Sequence, residues 1–91
     1  MSAPATIDLV SVVLTVLGSI SQPPERLEDL ERLLRAKPQQ LTLTDLGLDS
    51  LGLLEFCISL EIDHGVVVSP ERLVGAHSAD QLLRLLRRAT D

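Results

Sequence analysis

Leucine dominates the apolar residues of this chain: there are twenty, against one phenylalanine and no tryptophan or tyrosine. Any core must therefore be aliphatic. Leucine is a strong helix former, whereas strands favour runs of β-branched and aromatic residues. Such runs are scarce here, as is glycine, so the expected fold class is all-α. Ninety-one residues make one domain, 1–91, with a single modest core and no room for a buried catalytic cleft beside it.

Prolines and glycines divide the chain into segments. Residues 1–5 form a loose start. From residue 6 to 20, Val10, Val13, Leu14 and Leu17 follow the three-and-four spacing of a buried helical stripe. Thr6 suits the N-cap, Asp8 the first turn and Gly18 the close. Valines and threonines lower the helix propensity, but the length favours a helix over a strand. Pro23-Pro24 resets the chain, and a second helix is expected over 24–36, with Leu27, Leu30, Leu33 and Leu34 on one stripe and Pro38 enforcing its stop. Its acids gather near the N-terminal end and its cations near the C-terminal end, as the helix dipole favours.

A connector over 39–48 can drop Leu41, Leu43 and Leu46 into the core. Either Asp49 or Ser50 then caps a helix running to about His64, where Gly65 ends it. Val66-Val67-Val68 has no obvious partner strand and reads as an extended linker. Residues 70–74 suit a short helix. The last helix opens at Ser78 with Gln81 three residues on, the spacing of a capping box. Leu82, Leu83, Leu85 and Leu86 give it an apolar face, and Arg84, Arg87 and Arg88 point outward.

The net charge of −5 argues against nucleic acid, whose binders concentrate Lys and Arg, and favours partners with basic surfaces. One cysteine permits no internal disulfide and no thiolate metal cluster, so a reducing, cytoplasmic setting is expected. The apolar stretch 7–20 is shorter than the roughly 20 residues a membrane span needs, contains Asp8, and lacks the cationic start of a signal peptide. A core helix, not a membrane segment, is expected there.

The helix after Asp49 carries apolar residues on two flanks. At about 100° per residue, Leu53, Phe56, Cys57 and Leu60 share one flank, and Leu51, Leu54, Ile58 and Ile62 the other. Gly52, Glu55, Ser59 and Asp63 make the polar stripe between them. One flank suffices to pack a helix in a small bundle. The Phe56 flank is expected in the core, and Leu51, Leu54 and Ile58 are expected to contact partners. No Glu or Gln stands three residues after Asp49 or Ser50, so a capping box does not account for the serine. If Asp49 caps, the Ser50 hydroxyl is left free near the positive end of the helix dipole, where a phosphodiester is favoured.

Asp45-Leu46-Gly47-Leu48-Asp49-Ser50-Leu51, followed by Glu55 and Glu61, resembles the acyl carrier protein family. The resemblance continues through Ser69-Pro70-Glu71-Arg72-Leu73 to the last helix, covering about 41–89. It implies a four-helix bundle with a short third helix, and a 4′-phosphopantetheine arm transferred from coenzyme A onto Ser50 by a phosphopantetheinyl transferase. The arm's thiol would carry acyl groups as thioesters between enzymes of fatty-acid or polyketide-type biosynthesis, while the protein itself catalyses nothing. The same resemblance maps partner docking onto Asp49, Leu51, Leu54, Glu55, Ile58 and Glu61. The implied partners are acyl-loading, ketosynthase or acyltransferase-type enzymes with basic docking surfaces.

The chain departs from that pattern at three places. Gly52 and Ile62 stand where the family often has acids, so apolar contact should carry more of the recognition. The connector before the motif is also long. Either the helix over 24–36 is inserted in the first loop, or it replaces the usual first helix and 6–20 is an added element. Leu48 before Asp49-Ser50 resembles polyketide-type carriers, and the chain's end soon after the last helix suggests a free-standing monomeric carrier.

An aminoacyl or peptidyl carrier shares the bundle, but Asp49 before the serine is the acyl-type form of the motif. From another class, an unmodified helical interaction module would leave Ser50 as a mere cap. A hydrolase lacks any base near the serine in sequence. Cys57 reads as a buried, inert thiol. His64 and His77 have no accompanying ligand cluster and make no metal site.

Overall fold

The computed structural model describes residues 8–20 and 23–90, and these form five α-helices and no strand. They are α1 (Leu9–Ile20), α2 (Pro24–Ala36), α3 (Ser50–His64), α4 (Pro70–Val74) and α5 (Ala79–Thr90), with a short 3-10 turn at Pro38–Gln40. The expected cap Thr6 lies outside the described residues. Asp8, expected in the first turn, instead precedes α1 and closes its start: Oδ1 accepts from the Ser11 N–H (3.4 Å), Oδ2 from the Ser11 hydroxyl (2.9 Å), and the carbonyl from the Val12 N–H (3.1 Å).

The buried residues of α1 are Leu9, Val13, Val16 and Leu17. Val10 and Leu14, expected in the core stripe, are half-buried. The stripe is displaced because α1 is packed from several sides, by α2, α3 and α5. Gly18 does not end the helix. It lies inside it, where an added Cβ would come 2.9 Å from Leu27 Cδ1 of α2. A side chain there would displace the end of Leu27.

α2 starts at Pro24 in the first helical position and buries Leu30 and Leu34. Leu27 is half-buried and Leu33 is exposed, so the contact is narrower than the four-leucine stripe suggests. The main neighbours of α2 are α1 and the 3-10 turn, whereas α1 also packs on α3 and α5. α1 is therefore the first helix of the bundle and α2 an added helix in the first loop. α3 contacts α4, and α4 contacts α5, which completes a four-helix arrangement with a short third member.

Phe56, with no exposed surface, sits among Leu17, Leu30, Leu46, Leu60, Leu73 and Leu82 in one contiguous core. Leu41 and Leu46 of the connector are buried and Leu43 half-buried, as their spacing suggested. The Ala79 N–H donates to the Leu41 carbonyl (2.8 Å), tying the connector to the start of α5. Val66 is buried, Val67 exposed and Val68 half-buried, in extended backbone without a partner strand. At α5, Ser78 Oγ accepts from the Gln81 N–H (3.3 Å), while Gln81 Oε1 reaches one residue beyond a standard capping box to the His77 N–H (2.7 Å).

Asp8 also pins α2. Its Oδ2 accepts from Arg35 (2.9 Å), which in turn donates to Glu31 (3.1 Å). Hydrogen bonding from Arg35, reinforced by Ser11, lowers the Asp8 pKa from 3.8 to about 2. A carboxyl group depressed in the folded state contributes stability that is present above its unfolded pKa and is lost as pH falls through its folded one. Wild type should therefore melt higher than Asp8→Asn above pH 3.8, and the gap should close as pH falls towards 2. Thermal melts of the two proteins across that window check this. A gap independent of pH would exclude the Asp8 charge as its source, since asparagine keeps a capping oxygen. The pair is exposed, so added salt should shrink the gap as well.

Candidate functional site

The segment Thr42 to Ser50 alternates anchors with exposed groups. Thr42 and Asp45 bond reciprocally: the Thr42 N–H donates to Asp45 Oδ2 (2.9 Å) and the Asp45 N–H to Thr42 Oγ1 (3.0 Å). The Thr42 N–H is also the main reason the Asp45 carboxyl lies below its ordinary pKa. Leu46 is fully buried. Gly47 follows at φ +80°, a left-handed turn that L-residues rarely adopt, and Leu48 is buried again. Two buried leucines on either side of a left-handed glycine fix where the chain emerges, so the next two residues are presented outward.

Asp49 is the cap of α3. Its Oδ1 accepts from the Gly52 N–H at 2.7 Å, and its carbonyl takes the first helical bond, from the Leu53 N–H at 2.8 Å. Ser50, at the first helical position, is exposed, and among the described residues nothing bonds to its hydroxyl. The choice between the two caps is thus resolved: capping belongs to Asp49, and Ser50 is left without that structural role.

Gly52, expected on the polar stripe, is buried instead. A Cβ there would stand 3.1 Å from Asp49 Oδ1 and 3.4 Å from the Gly47 carbonyl. The loop folds over this point, and a side chain would crowd the cap. An acid would also meet the Asp49 carboxylate.

Along the rest of α3 the two flanks separate as their spacing predicts. Leu53, Phe56, Cys57 and Leu60 are buried. Leu51, Leu54, Ile58 and Ile62 are 65%, 48%, 56% and 75% exposed. Asp49, Glu55 and Glu61 are exposed on the same helix or its cap. Together they form an exposed apolar row edged by acids. Gly65 ends the helix at φ +67°, its N–H bonding back to the Glu61 and Leu60 carbonyls.

Burial raises the Cys57 thiol pKa, which disfavours the nucleophilic thiolate. Among the described residues no three of His, Cys, Asp and Glu converge as metal ligands, and no helix is long and apolar enough to cross a membrane.

What the sequence did not disclose is the turn itself. The burial of Leu48 and the left-handed backbone of Gly47 place Ser50, and the available signal was a glycine flanked by leucines between two aspartates.

The described helices thus form a bundle that presents a free serine at a helix start, beside an exposed apolar and acidic helix face. The family model for the phosphopantetheine attachment site matches residues 8–86. The chain belongs to that family, the family of acyl carrier domains. The match begins at α1, consistent with α1 as the bundle's first helix. Neither the curated proteins nor the solved structures give a match.

Family membership makes the domain a site of covalent 4′-phosphopantetheine attachment, and gives it a phosphopantetheinyl transferase and biosynthetic enzymes as partners. The residues present fit the group. Ser50 supplies an unengaged, solvent-facing hydroxyl, and the N-terminal end of a fifteen-residue helix stands beside it to favour the phosphodiester's negative charge. When bound, the arm supplies a thiol for thioester chemistry.

Proposed function

We propose that this protein is an acyl carrier whose Ser50 bears the 4′-phosphopantetheine arm and which delivers acyl thioesters between enzymes of fatty-acid or polyketide-type biosynthesis. The observation that supports this most is the Ser50 hydroxyl, freed from capping by Asp49 and presented at the start of α3, in a chain of the phosphopantetheine-attachment family. Its own residues hold and present; they do not catalyse. Leu51, Leu54 and Ile58 form the contact row, with Asp49, Glu55 and Glu61 steering it towards basic partner surfaces. An acyl rather than aminoacyl cargo rests on Asp49 before the serine. A monomer working in the cytoplasm completes the proposal.

Intact mass before and after incubation with coenzyme A and a promiscuous transferase tests this. The expected result is one phosphopantetheine-sized gain in wild type and none in Ser50→Ala. No gain in a folded wild type would leave an unmodified interaction module. A gain retained in Ser50→Ala would move the attachment elsewhere.

Thiol counting gives an independent prediction. The buried Cys57 should not react with an aromatic disulfide in the native unmodified protein and should react once on denaturation. The modified protein should show one fast-reacting thiol while still native. Rapid reaction of the unmodified native protein would contradict the inert assignment of Cys57.

A further inference from the structure

The charge of this acidic chain is unevenly placed. Residues 1–64 carry ten acids against four cations, whereas residues 65–90 carry four arginines against Glu71 and Asp80. Three of those arginines converge. A hollow of about 350 Å³ between α4 and α5 is rimmed by Arg72, Arg84 and Arg88, with Ala76 and Leu85 among its lining. A second hollow of about 280 Å³ shares Arg72, Leu85 and Arg88 and extends past Val67 and Val68. The two hollows adjoin at Arg72, Leu85 and Arg88; the first is mainly apolar, and the second, which includes Ser69, is more polar.

Helix dipoles account for cations near helix ends, and Arg72, Arg87 and Arg88 are in last turns. They do not account for three arginines from two helices lining one mainly apolar hollow, where like charges repel. Arg84 is partly satisfied by Asp80 at 3.1 Å. Arg72 and Arg88 have no ion pair among the described residues. Their planar forks suit bidentate carboxylate binding, and their stems can line an apolar wall.

We propose that the α4–α5 groove is a docking surface for an acidic segment of another protein, one that places an apolar side chain against Leu85 and carboxylates on Arg72 and Arg88. Charge complementarity selects this occupant. A nucleic acid or an anionic membrane presents an extended negative surface, which the chain's net charge of −5 disfavours. A short acidic segment engages only the rim. The groove's charge is opposite to that of the Asp49–Glu61 face, so it recognises a different class of partner. The assignment does not rest on Ser50.

The test is a titration of the full, isotope-labelled Ser50→Ala chain, followed by amide NMR. The probe is the synthetic peptide acetyl-Glu-Leu-Leu-Glu-Glu-Leu-Leu-Glu-amide. Saturable shifts should centre on Arg72, Ala76, Leu85 and Arg88. Arg72→Gln with Arg88→Gln should weaken binding about tenfold, the scale of losing interfacial charge contacts. Arg87→Gln, outside the groove on the same helix, should leave binding unchanged, and both variants should keep the wild-type helical spectrum. Replacing the peptide's glutamates by glutamine, or its leucines by alanine, should also weaken binding.

Absence of shifts, or shifts centred on α3, overturns the proposal. Equal binding of the alanine peptide would reduce the effect to diffuse attraction and overturn it too. So would the same shifts produced by inorganic phosphate alone, which marks a small-anion site. Concentration-dependent shifts of the protein alone would mark a second copy in the groove, with the same consequence.

Discussion

Phe56→Ala is expected to destabilise the domain by about 3–5 kcal/mol, the usual cost of truncating a buried aromatic, while Ile58→Ala should change stability by no more than about 0.5 kcal/mol. The two residues lie two positions apart on α3, one with no exposed surface and the other 56% exposed. Helical geometry alone separates them. Phe56 is the single aromatic side chain, and the aliphatic core around it has no other residue of comparable size to refill the cavity. A domain with a total stability of about 5–15 kcal/mol would lose a large part of it.

Function should divide the other way. Ile58→Ala should lose partner turnover by roughly tenfold, as for a central apolar contact, with Leu54→Ala behaving alike. Phe56→Ala should retain normal partner kinetics in whatever fraction stays folded. Urea melts give the first half, and transfer kinetics with a partner enzyme, normalised to folded protein, give the second. If Ile58→Ala unfolded the chain while partner kinetics per folded molecule stayed normal, the exposed row would be structural and the docking assignment would fail.

The helices were legible in the sequence because leucine spacing and proline punctuation act locally. α2 begins at Pro24, α4 at Pro70, and α3 ends before Gly65, each where the chemistry of one residue decides. The double flank of α3 was legible for the same reason. Features set by neighbours were not. The α1 stripe moved because α2, α3 and α5 all cover that helix. Gly18 looked like a helix end but answers to Leu27, a residue of the next helix. Gly52 fell on the polar stripe by periodicity, yet it is buried by a loop that periodicity cannot place. The site divides similarly. Ser50 and its motif could be read directly, whereas its freedom from capping depends on which of two adjacent residues bonds the Gly52 N–H.

That dependence gives the second large prediction, at Gly47. Its φ of +80° disfavours any residue with a Cβ, by about 1–2 kcal/mol, and a β-branched side chain is the worst fit. Gly47→Val should therefore lower stability by at least about that amount and slow modification of Ser50. Leu46 and Leu48 are both seated in the core. If the turn between them cannot close, one leucine must leave its place, and the Asp49 cap then shifts relative to α3. Gly47→Asn should be milder, since asparagine tolerates the left-handed region. Asp49→Ala separates the contributions: it removes the cap, at a cost of about 0.5–2 kcal/mol, but leaves both leucines anchored. Denaturant melts and the rate of mass gain per folded molecule distinguish the cases. Slow modification in Gly47→Val but not in Asp49→Ala means the turn aims the serine. Slow modification in both means that the cap holds the hydroxyl in place, or that Asp49 itself contacts the transferase. In the latter case Asp49→Asn, which keeps a capping oxygen but loses the charge, should be modified as slowly as Asp49→Ala. If capping is what matters, Asp49→Asn should be modified at close to the wild-type rate. Wild-type rates in every variant would show that exposure of the Ser50 hydroxyl suffices and that the turn serves stability alone.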